Sequence, residues 1–179
     1  SMGSGNIGAT NVLRTSGRAA GIATLILDAL KGTFAVWLMH RVTNGSPLWT
    51  SLAAAAVVLG HVFPVFLKFK GGKAVATFAG AFAVLTPLPL LATLIVFVAT
   101  VAATRYVSLG SVIGAICFPL AVFLINHPPA PVLMTAIAAC ALVIYRHRSN
   151  LQRVRAGTEN ALSFGRKTTG GGPVRTRAR

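Results

Sequence analysis

The segment LPLLATLIVFVATVAAT, residues 88–104, contains no charged residue. Its length is near the minimum with which a helix can cross a bilayer, about 17 residues. Five further apolar segments share this character, at residues 19–38, 48–66, 74–86, 111–125 and 131–145. Lipid offers the backbone no hydrogen-bond partners, and these segments lack the strict alternation of a membrane β-barrel, so we expect helices. The sequence therefore predicts an all-α fold, a polytopic membrane helical bundle with six spans, of which the third and fifth are short.

The composition agrees with a surface that mostly faces lipid. Hydrophobic residues make up 54% of the 179 residues and charged residues only 11%, which is too few to cover a soluble domain of this size. Seventeen Lys and Arg oppose two acidic residues, Asp28 and Glu159. A nucleic-acid binder with this charge would need a polar exterior, for which the apolar runs leave no room. We therefore expect no nucleic acid, but anionic substrates and lipid headgroups, the latter at Arg153 and Arg155.

The two cysteines, Cys117 and Cys140, lie in apolar segments and have no CxxC or CxxH neighbour. Zinc sites and redox motifs use closely spaced ligands of that kind. We therefore expect neither a metal site nor a disulfide, and two buried, inert thiols.

The connections between the apolar segments alternate in character. One set is rich in proline and nearly uncharged, and it comprises residues 43–49, 86–89 and 126–131. The other set carries fifteen of the seventeen Lys and Arg, and it comprises residues 3–18, 68–73, 105–110 and 146 onward. Because cytoplasmic loops carry the excess of positive charge, the basic set and both chain ends are predicted on the cytoplasmic side. Residues 1–160 would form the membrane domain and 161–179 a disordered basic tail.

The basic segments combine glycines, hydroxyl or amide donors and fixed cations, which together can hold a phosphate. They read GSGNIGATNVLR from residue 3, KFKGGK from 68, RYVSLGS from 105 and HRSNLQRVRAGTEN from 147. GSGNIG matches the dinucleotide fingerprint in letters, but that fingerprint needs a preceding strand and a surrounding sheet. GGK is not a Walker A loop, since Ala74 follows Lys73 and the upstream glycine is missing. The pattern therefore favours a phosphate site in a different fold.

Several polar residues have a structural interpretation beside the functional one. Ser4 and Thr10 precede an apolar run, where hydroxyls commonly cap helices. Asp28 and Lys31 are three residues apart in the first span and share a helix face, which favours a structural ion pair slightly over direct catalysis. His61, taken alone, is expected at the membrane interface.

The motifs also stand in one order between hydrophobic spans, together with LDALKG at residues 27–32 and GHVFPVFLKFKGGKAVAT at residues 60–77. In that order and register they resemble the PlsY family, the bacterial acyl-phosphate-dependent glycerol-3-phosphate acyltransferases. The similarity runs from Gly3 to about Asn160, and several long motifs in register are far more specific than a lone G-x-G-x-x-G. The resemblance implies a multi-pass enzyme of the bacterial inner membrane that acts in phospholipid biosynthesis.

The implied reaction moves a fatty acyl group from acyl phosphate to the 1-hydroxyl of glycerol 3-phosphate and gives lysophosphatidic acid and phosphate. The resemblance assigns catalytic roles to Ser4, Arg14, Lys73, Ser111, His147 and Asn150, substrate binding to Asn6, Thr10, Asn11, Gly71 and Gly72, and a structural role to Glu159. Acyl phosphate is already activated, so neither a covalent nucleophile nor a metal or other cofactor is expected. Either His147 or a phosphate oxygen of the substrate would remove the hydroxyl proton, and both alternatives remain open.

Two departures from the family pattern stand out. The second motif usually reads GGKGVAT, and here Ala74 replaces the third glycine, which reduces backbone freedom. The family also carries one further N-terminal helix, seven spans in all, and this chain is expected to lack it. The alternative function is a non-catalytic membrane transporter or binder of an organic phosphate, although such a transporter often shows inverted repeats, and none is evident in the sequence.

Overall fold

A computed structural model describes residues 7–162, and within that range every regular element is helical. The helices are α1 (Ala9–Thr15), α2 (Arg18–Val42), α3 (Pro47–Val62), α4 (Val75–Leu85), α5 (Pro87–Thr104), α6 (Val107–Asn126), α7 (Ala130–Arg146) and α8 (Arg148–Arg155). A short 3₁₀ turn, Val65–Leu67, follows α3. The predicted all-α membrane fold is confirmed.

Each of the six predicted spans coincides with one helix, from α2 to α7. Four stretches are long and apolar enough to cross a bilayer unaided: Arg18–Val42, Pro47–Leu67, Pro87–Thr104 and Val107–Asn126. A fifth stretch of sufficient length requires α7 and α8 together, although a bend of 50° separates them. Helix α4 is apolar but has only 11 residues, too few to cross a bilayer unaided. The span count of six therefore stays a prediction.

Each of the nearly uncharged connections has a proline in the first turn of the helix that follows it. Pro47 and Pro87 begin α3 and α5, and α7 carries its proline within the first turn. Proline suits the first turn of a helix because its missing N–H would have no intrahelical partner there. Each of the three Pro-rich connections is thus followed by a helix that runs back toward the basic segments.

Helix α4 is short and lies in the centre of the bundle. A Cβ on Gly32 of α2 would collide with the Thr77 carbonyl, and one on Gly80 would collide with Ala29. Small residues of this kind let membrane helices approach closely. On its other side, α4 packs Phe82 against Phe118 of α6 in an edge-on contact with ring centroids 4.9 Å apart.

The first helix folds back along the second. Gly17, at φ +92°, makes the turn between them, a backbone conformation that favours glycine. A Cβ on Gly21 would come within 2.7 Å of Leu13, so glycine there permits the close approach of α1 to α2. This arrangement carries Arg14 of α1 to the same end of the bundle as the other basic segments.

Candidate active site

The basic segments that are far apart in sequence meet at one end of the bundle. Arg146, at the end of α7, donates hydrogen bonds to the carbonyls of Gly71 and Gly72. The backbone N–H of Leu162 donates to the carbonyl of Arg105 at 2.7 Å and ties the segment after α8 to the connection between α5 and α6. The basic segments therefore form one polar cluster rather than separate loops.

Lys73 lies at the centre of this cluster. It follows the double glycine, precedes α4 and is partly buried. Burial lowers the pKa of Lys73 to about 8; the nearby Glu159 carboxylate opposes this shift, while Arg153, Arg14 and Arg146 strengthen it. Four cations near a single carboxylate leave an excess of positive charge, which a phosphate would neutralise.

The double glycine lets the loop approach α3, and its own N–H groups are used within the protein. Gly71 donates to the carbonyl of Val62 and Gly72 to that of His61, each at 3.2 Å. A Cβ at either glycine would collide with this end of α3, at the His61 carbonyl or at the His61 ring. The glycines thus have a steric role that brings Lys73 into place, and their part in substrate binding stays a prediction.

Ala74 adopts the left-handed backbone conformation, with φ 60° and ψ 11°. An L-residue with a Cβ is strained in this region, whereas glycine is not. The glycine of the usual family motif therefore matches a conformational requirement. Ala74 adopts this conformation here at the cost of strain.

The break between α7 and α8 presents a buried histidine. His147 lies just past the end of α7 and is 2% exposed. Its Nδ1–H donates to the Val143 carbonyl at 2.8 Å, which leaves Nε2 as the unprotonated nitrogen of the neutral ring. Burial lowers the pKa of His147 to about 4, and the Lys73 charge acts in the same direction. The ring is therefore neutral at physiological pH.

Glu159 accepts three hydrogen bonds that join two helices to the segment after α8. Ser108 of α6 and Asn150 of α8 donate to Oε1 at 2.8 and 2.6 Å, and Arg153 donates to Oε2 at 2.8 Å. Burial opposes ionisation of Glu159, but these three donors outweigh it and hold the pKa below its ordinary value. The side-chain oxygen of Asn150, Oδ1, is buried without a partner among the described residues.

The first motif is described only from residue 7 onward, so the predicted roles of Ser4 and Asn6 lie outside the described residues. Arg14 is exposed on α1 and near enough to Lys73 to affect its pKa. Thr10 and Asn11 precede Arg14 by four and three residues, so their side chains share its face of the helix.

Ser111 faces an apolar cavity of about 80 Å³ between α4, α5, α6 and α7. Its hydroxyl donates to the Val107 carbonyl at 2.9 Å, a bond within its own helix. The cavity begins beside the polar cluster, because its lining includes Val75, two residues after Lys73, and Val143, whose carbonyl binds His147. Ser111 therefore lies where the apolar cavity and the polar cluster meet.

Three residues of the cluster were not singled out for it from the sequence. Arg146 and Ser108 had no assigned role, and Arg153 was expected at lipid headgroups, whereas it pairs with Glu159. Arg146 stands directly before His147 and Ser108 stands in the same motif as Ser111, so proximity to the motifs was the available signal. The partners of Ser108 and Arg146 lie 51 to 75 positions away in the chain, which no local pattern reveals, whereas Glu159 follows Arg153 by six residues.

A sequence profile described as glycerol-3-phosphate acyltransferase matches residues 1–157. The chain is 49% identical over 158 residues to the glycerol-3-phosphate acyltransferase of Geobacter sulfurreducens, covering 88% of this chain and 80% of the relative. It is 50% identical over 160 residues to that of Geotalea daltonii, covering 89% and 81%.

Two crystal structures of PlsY, described as an integral membrane glycerol 3-phosphate acyltransferase, have the same fold at 39% identity. The glycerol 3-phosphate form gives a TM-score of 0.85 and covers 90% of this chain and 80% of that one. The lysophosphatidic acid form gives 0.83 and covers 89% and 81%.

Proposed function

The chain belongs to the glycerol-3-phosphate acyltransferase family, and on this premise we propose that Lys73 and its neighbouring cations bind the phosphate groups of both substrates. The enzyme acylates glycerol 3-phosphate to lysophosphatidic acid. We take acyl phosphate as the acyl donor. The glycerol hydroxyl oxygen then forms an ester bond to the acyl carbon, the bond from that carbon to the phosphate oxygen breaks, and inorganic phosphate leaves.

The observation that supports this proposal is the convergence of charge around Lys73. Arg14, Arg146 and Arg153 lie near it, and Glu159 is the one acidic residue among the groups that affect its pKa. Both substrates carry a phosphate, and charge builds up on the phosphate that departs. Cations fixed beside that position stabilise the transition state more than the ground state.

Asn150 and His147 provide the neutral part of the proposed site. The unpartnered Oδ1 of Asn150 is free to accept a hydrogen bond of the kind that a glycerol hydroxyl donates. Nε2 of His147 is unprotonated but weakly basic, since the pKa of this ring is about 4. A phosphate oxygen, with its second pKa of about 6, is the stronger base, so we assign removal of the hydroxyl proton to the substrate phosphate.

The cavity between α4 and α7 is the proposed entrance for the acyl chain. Its lining is almost entirely apolar, and it opens beside Lys73 and His147 through Val75, Ser111 and Val143. Its volume of about 80 Å³ holds only the first part of a long chain, so the rest lies along the lipid-facing surface of the bundle. The polar cluster then faces the cytoplasm in the bacterial inner membrane, as the distribution of basic residues predicts.

The test is an assay of purified protein with acyl phosphate and labelled glycerol 3-phosphate, with labelled lysophosphatidic acid as the readout. Lys73→Ala and Arg14→Ala should each lower kcat/KM by at least about a hundredfold, as loss of a donor to transition-state charge does. Arg41→Ala is the matched control: this arginine stacks on Trp37 near the opposite end of α2 and should leave kcat/KM unchanged.

Full activity in Lys73→Ala would refute the assignment of the site, and no product from the folded wild-type protein would refute the acyl phosphate reaction. Ser4→Ala with unchanged kcat/KM would remove that serine from the proposed catalytic residues. Uptake of labelled glycerol 3-phosphate into vesicles that contain the protein would favour the transporter alternative.

A further inference from the structure

A second polar cluster, with His61 buried and Lys31 exposed, lies where α2, α3 and α4 meet, beyond the residues assigned to substrate. Asp28 and Lys31 of α2 form an ion pair with Oδ1 and Nζ 2.8 Å apart. Nδ1 of His61, at the end of α3, is 2.9 Å from Nζ of Lys31 and 3.3 Å from Oδ1 of Asp28. The Thr77 hydroxyl of α4 lies 3.2 Å from the same ring nitrogen. One buried imidazole therefore joins three helices.

The partners of His61 determine where its ring proton lies. A Lys31 ammonium donates hydrogen bonds but accepts none, so Nδ1 must accept from it. The proton of the neutral ring is then on Nε2. The Asp28 carboxylate holds the Lys31 ammonium in place, and through it the orientation of the ring.

The opposite side of the same histidine contacts the loop that carries Lys73. A Cβ on Gly72 would collide with Nε2 of His61, so the ring packs directly against this glycine. The His61 carbonyl also accepts the Gly72 N–H at 3.2 Å. Thr77, which contacts Nδ1, lies one turn beyond Lys73, so the cluster holds the chain on both sides of the lysine.

We propose that Asp28, Lys31 and His61 form a positioning unit, which sets the path of the double-glycine loop and so places the Lys73 ammonium for phosphate binding. This proposal rests on the function assigned above to Lys73. His61 is 6% exposed, so its ring faces protein rather than water or lipid. The ion pair is confirmed, and its role under the proposal extends beyond mutual neutralisation.

The energetic cost of the pair supports a role of this kind. Ionisable residues within a membrane span are expensive, and two apolar residues would pack the same helix face without that cost. An apolar pair, however, offers His61 no donor from α2 and leaves the Thr77 hydroxyl as the described partner of Nδ1. A displacement of about 1 Å of a substrate-binding group lowers activity by up to about a hundredfold, which exceeds most losses from a single surface contact.

The experiment measures kcat and KM for glycerol 3-phosphate in Asp28→Asn, His61→Ala and His61→Asn. Asp28→Asn keeps the shape of the side chain and should raise KM about tenfold with a smaller change in kcat. His61→Ala should raise KM further. His61→Asn, whose amide oxygen can accept from Lys31 near the position of Nδ1, should restore part of the loss.

Thr33→Val is the matched control. Thr33 donates to the Gly80 carbonyl at 3.0 Å across the same α2–α4 contact, but it does not touch the loop. It should lower thermal stability without changing KM. The double variant of Asp28→Asn with His61→Ala should have the KM of His61→Ala alone, because the carboxylate acts through the ring.

Two results would overturn the proposal: an unchanged KM in Asp28→Asn, or KM effects of the two single changes that multiply in the double variant. If His61→Ala does not fold, the KM of Asp28→Asn still tests the proposal, because this change removes no atom from the packed core. A wild-type protein that makes no lysophosphatidic acid would instead refute the proposed function, so the two failures are distinguishable.

Discussion

Glycerol 3-phosphate binding should weaken at alkaline pH because Lys73 is partly buried. Burial lowers the pKa of this lysine from 10.5 to about 8, and the surrounding arginines act in the same direction. An ammonium must keep its proton to attract a phosphate, so the attraction is complete below this pKa and is lost as the pH rises through it. One unit below the pKa about nine-tenths of the groups are charged, and one unit above about one-tenth are.

We therefore expect the affinity of the wild-type protein for glycerol 3-phosphate to fall about tenfold between pH 7 and pH 9, and about tenfold more by pH 10. The phosphate of the ligand stays doubly ionised over this range, since its second pKa is about 6. A lysine with the ordinary pKa of 10.5 would leave the affinity nearly constant up to about pH 10. The two cases differ by about tenfold at pH 9.

Isothermal titration calorimetry of the detergent-solubilised protein measures this affinity without acyl phosphate, which hydrolyses in alkali. Lys73→Arg is the matched control, because a guanidinium stays charged throughout the range. Its affinity should be lower than wild type at pH 7 but independent of pH up to 10. A flat wild-type curve up to pH 9.5, or an equal fall in Lys73→Arg, would refute the reasoning.

Three further changes test other parts of the structure. Ala74→Gly should raise the free energy of unfolding by about 1 kcal/mol, because it relieves a left-handed backbone strain; a lower melting temperature, followed with a thiol-reactive dye on the two cysteines, would contradict this. Glu159→Gln should lower stability by about 2 kcal/mol at pH 7, since it replaces a charged acceptor of three hydrogen bonds. Because the pKa of Glu159 is lowered by folding, the wild-type advantage should disappear as the pH falls through that value; equal melting curves at pH 7 would count against the Glu159 network. Gly114→Val should narrow the apolar cavity beside Thr93 and shift the ratio of kcat/KM toward shorter acyl phosphates by about tenfold; an unchanged ratio would place the acyl chain elsewhere.

Hydropathy and charge along the chain predicted the helices and the side on which the motifs gather. A span is recognisable locally, because lipid requires a continuous apolar run and an internally hydrogen-bonded backbone. The same local reasoning identified Lys73, which stands between a double glycine and a helix. It also identified the pairing of Asp28 with Lys31, since a spacing of three puts both on one helix face.

Local patterns did not show which partners several of these residues have in the folded chain. His61 contacts Lys31 of α2, 30 positions away, and Arg153 donates to Glu159. The N–H groups of the double glycine donate to carbonyls at the end of α3.

Hydropathy, charge and the order of motifs are properties of the linear chain, and they were enough to predict a helical membrane acyltransferase with its basic segments on one side. How those segments are held follows from the packing of the helices. Arg146 donates to carbonyls 74 and 75 positions away in the chain. His61 contacts the Asp28–Lys31 ion pair of α2 and also packs against the loop before α4. Such bonds depend on how closely the helices pack. Glycines at the helix contacts set the distance between two helices, and the sequence of one helix does not show which helix it will contact.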